Sequence, residues 1–317
     1  MAKPFLTYQQ QLDKLVREKN LVITDRAYAE TRLKLISYYA LISGYKNPYR
    51  NPTTKKYKDG TTFEEIVALY QFDENLREIF LKYLLKIERH LRSLLSYYFT
   101  EMYGEGQAEY LKADNYSHNP RFRKGISILI QKLAQAANST ESPYIRYQRT
   151  TYGNVPLWVL VNTLSFGSLS KMYQFIPSSL QNKIRMDFQT VSEKELEQYL
   201  RVLTKYRNVC AHSERLFSYK SVDNIPDTPL HEKLHIPRKG AQYLYGKGDL
   251  FSVVIGFRYL LQKEEFGKFK ESLVKIISHF AAQTQHVSPA EILHLMGFPQ
   301  NWKKISTYRI PPPFPNV

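Results

Sequence analysis

The feature that most constrains the fold is a helical apolar stripe in residues 62–102. Thr62 and Glu65 have the spacing of a capping box, in which the hydroxyl and the carboxylate accept hydrogen bonds from free backbone N–H groups at a helix start. The apolar positions that then recur at intervals of three and four are Leu76, Ile79, Phe80, Tyr83, Leu84, Ile87, Leu91, Leu94, Leu95 and Tyr98. We predict one long helix, and because about forty residues is long for a globular helix, we expect a break near Phe72–Asn75.

Helical periodicity also dominates the rest of the chain and predicts an all-α fold. The further predicted helices are 7–19, 25–42, 121–137, 157–164, 250–262 and 266–282. In the second of these, Leu33, Ile36, Tyr39 and Ala40 share one face. Ser192 and Glu195 form a second capping box, which starts a helix with an apolar face of Leu196, Tyr199, Leu200 and Leu203.

The domain organisation that we expect has three parts. Residues 1–60 form an N-terminal helical arm with a basic loop, and residues 61–285 form a helical bundle as the core. Two peripheral insertions, about 107–152 and 223–248, are expected as loop excursions from that core. Residues 286–317 form a C-terminal extension.

The charge of the chain favours a polyanionic partner. The 317 residues include 45 Lys and Arg against 29 Asp and Glu, a net charge of +16. The excess lies mainly in residues 1–60, with 12 basic and 5 acidic residues, and in residues 201–250, with 9 and 5. Contacts with nucleic-acid phosphates release condensed counterions, so basic surfaces of this kind favour RNA or DNA. The alternative is a protein that is basic but has no nucleic-acid partner.

The cysteine content and the apolar runs indicate the cellular compartment and argue against a membrane span. The single cysteine, Cys210, excludes an internal disulfide framework and fits a reducing compartment. No uncharged apolar run is long enough to span a bilayer. We therefore expect a cytoplasmic protein without membrane contact.

The candidate for chemistry is the segment from Arg207 to His212. Arg207 lies eleven residues after Leu196, almost in phase with the apolar face of its own helix, so its charge needs an acidic partner, a ligand or an open cleft. On an ideal helix His212 is rotated from Arg207 by roughly 140°. If the helix ends near Ala211, the imidazole can fold back, and Arg215 then lies within reach of the same place.

Histidine and arginine together suit RNA cleavage through the 2′-hydroxyl. A histidine can move a proton on the attacking hydroxyl or the leaving 5′-oxygen, and an arginine can hold the phosphate and stabilise its developing charge. This chemistry needs no metal or cofactor. The alternative is a helix C-terminus that carries cations because the helix dipole favours them.

Two acidic residues on the long helix could face Arg207. Asp73 lies near the centre of the apolar stripe and Glu88 at its edge, and either would neutralise and orient the guanidinium. The alternative is local pairing four residues along the helix, of Asp73 with Arg77 and of Glu88 with Arg92.

Other patterns are less specific. His231 and His235 match the H-E-x-x-H form of zinc proteases, but Pro229 and Pro237 leave barely two helical turns around them. Cys210 is interpreted as a small buried filler rather than a nucleophile.

The candidate RNA-binding cations are Lys205, Arg201, Lys55, Lys56 and Lys58. The last three lie in one loop, and the alternative is that this loop is only a solvated run of charges.

The stretch Arg207-Asn208-Val209-Cys210-Ala211-His212 resembles the R-x4–6-H motif of HEPN ribonucleases, in the form found in abortive-infection proteins of the AbiD/AbiF type. Further segments that resemble this family, in order, are Leu41–Tyr45 with Pro48–Arg50, Tyr70–Asp73 with Leu76-Arg77, Ile87-Glu88 with Leu91–Ser93, Pro156–Trp158 with Ser165–Ser170, and Met296–Pro299 with Trp302. The resemblance spans nearly the whole chain.

This resemblance implies an HEPN-type helical bundle that works as a homodimer. It implies a metal-independent endoribonuclease toxin of phage defence, with Arg207 and His212 as the catalytic pair and Asn208 in a supporting polar place. Some members are encoded beside a structured noncoding RNA that restrains them. Asn162 departs from the pattern, since many relatives carry Glu there, and this puts the rate and the substrate in doubt.

Three other functions remain open at this stage. The first is an RNA-binding protein that keeps the HEPN fold with little or no cleavage. The others are a helical DNA-binding regulator, which the net charge also allows, and a zinc hydrolase built on His231 and His235.

Overall fold

A computed structural model describes residues 4–188 and 190–310, and these residues are mostly helical. The α-helices are α1 (Tyr8–Arg17), α2 (Arg26–Ile36), α3 (Phe63–Tyr103), α4 (Gln107–Leu111), α5 (Arg123–Ala137), α6 (Pro143–Tyr152), α7 (Leu157–Leu160), α8 (Phe166–Phe175), α9 (Ser178–Met186), α10 (Glu193–Ala211), α11 (Pro229–Lys233), α12 (Leu250–Leu260), α13 (Lys263–Ala281) and α14 (Pro289–Leu295). The two strands, β1 (Arg238–Lys239) and β2 (Gln242–Tyr243), form an antiparallel hairpin. The predicted all-α class is confirmed.

Short 3₁₀ and π segments connect these helices. The 3₁₀ turns are Asn47–Tyr49, Ala113–Asn115, Pro120–Phe122, Val161–Thr163 and Trp302–Ser306, and the π-helical turn is Tyr39–Ser43. The last seven residues of the predicted C-terminal extension, 311–317, lie outside the described residues.

The helix α3 is the central element of the fold. Its capping box forms as predicted, with the Thr62 hydroxyl accepting from the Glu65 backbone and the Glu65 carboxylate accepting from the Thr62 backbone. The helix runs without interruption for 41 residues, so the predicted break near Phe72–Asn75 is wrong. Helices α13, α10, α9, α8 and α7 all pack against α3. Packing along the whole apolar stripe stabilises α3, because the stability of a helix in a protein comes more from tertiary contacts than from the helix propensity of its residues.

Helix α10 runs antiparallel to α3. The Tyr98 hydroxyl lies 3.2 Å from Asp187 just before α10, and Arg207 near the end of α10 contacts Glu88. Beyond α10, the backbone N–H of Leu216 reaches Asp73. The chain from α9 onward therefore follows α3 back toward its N-terminus.

The second predicted helix, 25–42, ends early. Helix α2 stops at Ile36 because Ser37 adopts a positive φ of 75°, and a π-helical turn follows. Tyr39 is consequently not part of the buried face with Leu33, and it is 82% exposed. The change of direction places the segment 39–45 against α3.

The predicted insertions contain more structure than loops. Residues 107–152 hold α4, α5 and α6, and residues 223–248 hold α11 and the β1–β2 hairpin. The apolar run 157–164 is shorter as an α-helix than predicted, since α7 is one turn that passes into the 3₁₀ turn Val161–Thr163.

One continuous hydrophobic core joins the three predicted regions. Its buried side chains run from Leu12 in α1 through α3, α10 and α12 to Ile305 near the described C-terminal end. Among the described helices, none has the length and apolarity to cross a bilayer.

Candidate functional site

The Arg207 guanidinium is held by a buried carboxylate on α3. Its Nε donates to Glu88 Oε2 over 3.3 Å, and Glu88 Oε1 accepts from Arg92 Nη2 over 2.8 Å. The Glu88 side chain is 4% exposed, and that of Arg207 is 27% exposed. The predicted contact between Glu88 and Arg207 and the predicted local pair with Arg92 therefore both form. One carboxylate with two arginine partners leaves a local excess of positive charge.

Arg207 keeps hydrogen-bonding capacity after it pairs with Glu88. Only its Nε is used in that contact, and among the described residues its two terminal nitrogens make no hydrogen bond. A guanidinium carries five N–H donors in a planar fork that matches an anion with two oxygens. The partly exposed fork can therefore hold a phosphate while Glu88 fixes its orientation.

His212 lies where α10 ends. Its backbone N–H donates to the Asn208 carbonyl over 2.9 Å, and with φ of −93° and ψ of 9° it caps the helix. The next residue, Ser213, has a φ of 55°, so the chain turns away immediately. The helix thus ends near Ala211, which is the condition for the imidazole to approach Arg207.

The His212 imidazole and the Asn208 amide are both exposed. In the described part of the chain, no hydrogen bond or ion pair joins His212 to Arg207. Asn208 lies in the last turn of α10 and His212 caps the same helix, one and five residues after Arg207. Both remain accessible to a bound polyanion.

Asp73 belongs to a different network. This wholly buried carboxylate accepts hydrogen bonds from Tyr45 Oη (2.7 Å), Arg77 Nη1 (2.8 Å), the Leu216 N–H (3.1 Å) and the Phe217 N–H (2.7 Å). A rise of 1.5 Å per residue places Asp73 about 22 Å from Glu88 along α3. The predicted local pair with Arg77 forms, and Asp73 fixes the chain beyond α10 instead of contacting Arg207.

Arg215 points toward the N-terminal region. Its Nη1 donates to the Gly44 carbonyl over 2.7 Å, and its side chain is exposed. It therefore links the segment after α10 to the segment before the 3₁₀ turn at Asn47–Tyr49. It lies three residues from His212 in the chain, on the Asp73 side of the site.

The proposed RNA-binding cations occupy two separate places. Lys205 is exposed on α10, and Arg201 lies 3.9 Å from Asp223. Lys58 Nζ donates to the His286 carbonyl near the start of α3, and Lys55 and Lys56 are exposed in the same loop. Since Glu65 contacts His286 as well, the loop lies about 35 Å from Glu88 along the α3 axis.

Asn162 lies two residues before Leu164, which contacts Arg92, but within the described structure Asn162 contacts neither Arg92 nor Arg207. Its amide donates to the Trp158 and Val159 carbonyls over 3.0 and 3.2 Å. The neighbouring Leu164 carbonyl accepts from Arg92 Nη2 over 3.2 Å. A carboxylate at position 162 would bring negative charge to this edge, whereas the amide does not.

The H-E-x-x-H pattern is used structurally at His231. Its Nδ1 lies 3.1 Å from the Thr228 backbone N–H and its Nε2 lies 2.9 Å from the Gly246 carbonyl. Both ring nitrogens are thus occupied, and burial lowers the pKa of His231. His235 has a φ of 52° and is exposed beyond the end of α11. Within the described residues, no group of three or more His, Cys, Asp or Glu could hold a metal ion.

Cys210 is buried, and burial raises its thiol pKa to about 12. A thiol of this kind is neutral at physiological pH and is a poor nucleophile. Its position supports the interpretation as a filler between α10 and the core.

Sequence reasoning missed two contributors to the site. Arg92 was considered only as a local partner of Glu88, although it also donates to the Leu164 carbonyl. Tyr45 was noted only as part of a motif, although it donates to Asp73. The contact of Arg92 with Leu164 joins residues 72 positions apart and that of Tyr45 with Asp73 joins residues 28 positions apart, so neither has a local signal.

The fold and this surface define an all-α protein with an arginine-rich, histidine-capped helix terminus. The model of the family of Abi-like proteins matches residues 31–218. This match covers more than half of the chain, and the chain belongs to that family. The matched segment includes α3 and α10, with Asp73, Glu88 and Arg207. Comparisons with curated proteins and with solved structures give no match.

Proposed function

We propose that this protein is a metal-independent endoribonuclease of the HEPN type that acts in abortive infection. The observation that carries the proposal is the Glu88–Arg207 contact, which holds a guanidinium with terminal nitrogens free among the described residues, five residues before the exposed His212 at the helix cap. Family membership supports a role in phage defence. The resemblance of Arg207–His212 to the R-x4–6-H motif supports the choice of RNA as substrate.

The proposed reaction is attack of an RNA 2′-hydroxyl on the adjacent phosphorus. The 2′-oxygen forms a bond to phosphorus, the bond to the 5′-oxygen breaks, and the products carry a 2′,3′-cyclic phosphate and a 5′-hydroxyl. His212 makes one of the two proton transfers, from the 2′-hydroxyl or to the leaving 5′-oxygen, and a solvent water makes the other. Arg207 stabilises the charge on the non-bridging phosphate oxygens, and Asn208 supplies a neutral hydrogen-bonding group nearby.

Glu88 acts as a positioning residue in this proposal. Its second oxygen pairs with Arg92, so the carboxylate is fixed from both sides before it meets Arg207. A fixed partner reduces the rotamer freedom that the guanidinium would lose on binding a phosphate. Arg92 keeps the cluster net positive, which favours a polyanion.

We propose that the protein works as a homodimer, in which the R-x4–6-H motifs of the two protomers form one composite site. Sedimentation at micromolar concentration should give twice the chain mass of 37.3 kDa. A species at 37.3 kDa that still cleaves RNA would contradict the composite site. Restraint by a noncoding RNA, which the resemblance implies for some members, stays a prediction.

One observation favours a second candidate function, RNA binding with little or no cleavage. The His212 imidazole is exposed and makes no hydrogen bond to another side chain among the described residues, so no side-chain partner holds its ring without RNA. General acid–base catalysis depends on a held imidazole in the substrate complex. A protein that binds RNA tightly and never cleaves it would match this candidate.

The test is incubation of the purified protein with cellular RNA in EDTA. Cleavage should persist under chelation and should fall by about 10²–10⁴ in Arg207→Ala and His212→Ala. Matched controls are Arg123→Ala and His118→Ala, two exposed side chains away from the site, which should cleave as the wild type does. Cleavage abolished by EDTA, or equal in all variants, would overturn the proposal.

A further inference from the structure

A groove opens directly beyond the helix cap that carries His212. It has a volume of about 630 Å³, and its walls are the π-helical turn region, residues 39–45, and the segment 213–220 after α10. Small-molecule and nucleotide-sized sites have volumes of about 300–1,000 Å³. Ser213, which lines the groove, directly follows His212 in the chain. The groove therefore begins where the candidate cleavage site ends.

The two walls of this groove are fixed to one buried carboxylate. Asp73 accepts from the Tyr45 hydroxyl on one side and from the backbone N–H groups of Leu216 and Phe217 on the other. The Tyr45 and Phe217 rings stack with centroids 5.6 Å apart, and Arg215 donates across to the Gly44 carbonyl. The shape of the groove is thus formed before any ligand binds, which lowers the entropy cost of binding.

The groove combines aromatic faces with cations. Tyr39 is 82% exposed at its edge, and the rings of Tyr70 and Tyr219 are partly exposed along it. Lys220 and Arg215 are exposed beside these rings, and Glu214 is the one carboxylate among the described residues that line the groove, with Asp223 near Tyr219 and Asp249 near Lys220. Aromatic rings bind unpaired bases by stacking, and the neighbouring cations bind the phosphates between them.

A base in a duplex cannot use this site, because both of its faces are covered by neighbouring base pairs. We propose that the groove binds an unpaired nucleotide of the RNA strand, several nucleotides from the phosphate held by Arg207, because Asp73 beside the groove lies about 22 Å from Glu88 along α3. Tyr39 supplies the stacking face and Lys220 contacts the adjoining phosphate. This inference rests on the proposed function for its RNA strand, and it adds the requirement that the segment beside the cleavage site is single-stranded.

The test measures binding without cleavage, by fluorescence anisotropy in EDTA with a His212→Ala background. The probes are a labelled single-stranded 12-mer RNA, the same sequence closed into a hairpin duplex, and free AMP and UMP as competitors. We expect the single strand to bind at least tenfold more tightly than the duplex. Tyr39→Ala and Lys220→Ala should each weaken single-strand binding about tenfold, and Tyr39→Phe should restore it.

Matched controls are Tyr144→Ala and Lys124→Ala, an exposed tyrosine and an exposed lysine on helices α6 and α5. Both should bind the single strand as the parent does. RNA carrying 4-thiouridine should crosslink to the segments 39–45 or 213–220. Free AMP and UMP should displace the strand in part, because each can fill a site for one nucleotide. Equal binding of duplex and single strand, or crosslinks confined to other segments, would overturn the inference.

The failure of this inference can be told apart from the failure of the proposed function. If the Tyr39→Ala and Lys220→Ala proteins, with His212 intact, cleave and bind as the wild type does, the groove inference is wrong and the ribonuclease stands. If the groove binds the single strand and the wild type never cleaves, the ribonuclease proposal is wrong and the nucleotide site stands.

Discussion

Asp73 and Glu88 are two carboxylates on the same helix, and both are almost completely buried. Asp73 is surrounded by four donors that belong to three separate chain segments, and its partner Arg77 is buried with it. Glu88 has two arginine partners, and both of these reach the surface. Helix α3 therefore fixes the chain beyond α10 through Asp73 and orients the partly exposed Arg207 of α10 through Glu88.

The energetic consequences of this difference follow from desolvation. A buried ion pair that loses one member leaves a charge without water or partner, which costs about 3–5 kcal/mol. A partly exposed arginine that loses its carboxylate can be hydrated instead, so most of its charge cost is avoided. We therefore expect substitutions at Asp73 to change stability and substitutions at Glu88 to change activity.

The largest expected effect is on stability, in Asp73→Ala. Removal of the carboxylate leaves the Arg77 charge and two backbone N–H groups of the 216–217 segment unpaired. The free energy of unfolding should fall by about 3–5 kcal/mol, measured by urea denaturation. Glu74→Ala, at the exposed neighbouring position, is the control and should change it by less than about 0.5 kcal/mol. Equal stability of the two variants would show that Asp73 does not stabilise the fold.

A smaller effect on stability and a clear effect on cleavage are expected for Glu88→Gln. The neutral amide keeps the volume but no longer holds Arg207 by charge, so the cleavage rate should fall about tenfold or more. Stability should fall by about 1–2 kcal/mol, since both arginines have access to water. The KM for RNA should change less than kcat, because Arg207 and Arg92 still attract phosphate.

Glu88→Asp sharpens the same comparison. A shorter carboxylate keeps the charge near Arg92 while it lengthens the contact with Arg207, so the rate should recover in part. A Glu88→Gln protein that cleaves as fast as the wild type would show that the carboxylate does not orient Arg207. A protein that unfolds would place Glu88 with Asp73 as a structural group.

The smallest effect that we predict concerns acid pH at the start of α3. Burial alone would raise the pKa of Glu65, but hydrogen bonds from the backbone of His286, Gln285 and Thr62 lower it below its usual value of 4.5. A carboxyl with a lowered pKa in the fold stabilises the protein above its unfolded pKa. That contribution is lost as the pH falls through the folded-state value.

The measurement is the difference in unfolding free energy between wild type and Glu65→Gln as a function of pH. The difference should be full at pH 7 and should shrink as the pH falls below about 4.5. Glu78→Gln, at an exposed position on the same helix, is the matched control. A difference that grows toward acid pH would contradict the assigned direction.

The elements of the fold were largely predictable from local patterns. The Thr62 and Ser192 capping boxes form, and the helices that follow them end within a few residues of the glycines and the histidine that the sequence offers. The predicted break in α3 and the predicted length of α2 were wrong. Packing against several helices maintains α3, and a positive φ at Ser37 ends α2, and neither is visible in periodicity.

The contact between Glu88 and Arg207 could be predicted from the sequence, whereas most partners of Asp73 could not. Periodicity placed Arg207 and Glu88 on apolar faces, so a contact between them was one of two expected outcomes. The Asp73 partners Leu216 and Phe217 use backbone N–H groups 143 and 144 residues away, and backbone donors carry no residue-type signal. The groove combines two such distant segments, so it required the structure.

The most direct measurement of the central claim is the chemistry of the RNA ends. RNA cleaved in EDTA by the wild-type protein should carry 2′,3′-cyclic phosphate and 5′-hydroxyl ends, and a 2′-deoxy nucleotide at the cleaved position should abolish the cut. Both products should disappear in Arg207→Ala and His212→Ala and persist in Arg123→Ala and His118→Ala. Products with 5′-phosphate ends, or a cut that tolerates the 2′-deoxy nucleotide, would contradict an arginine–histidine ribonuclease that acts through the 2′-hydroxyl.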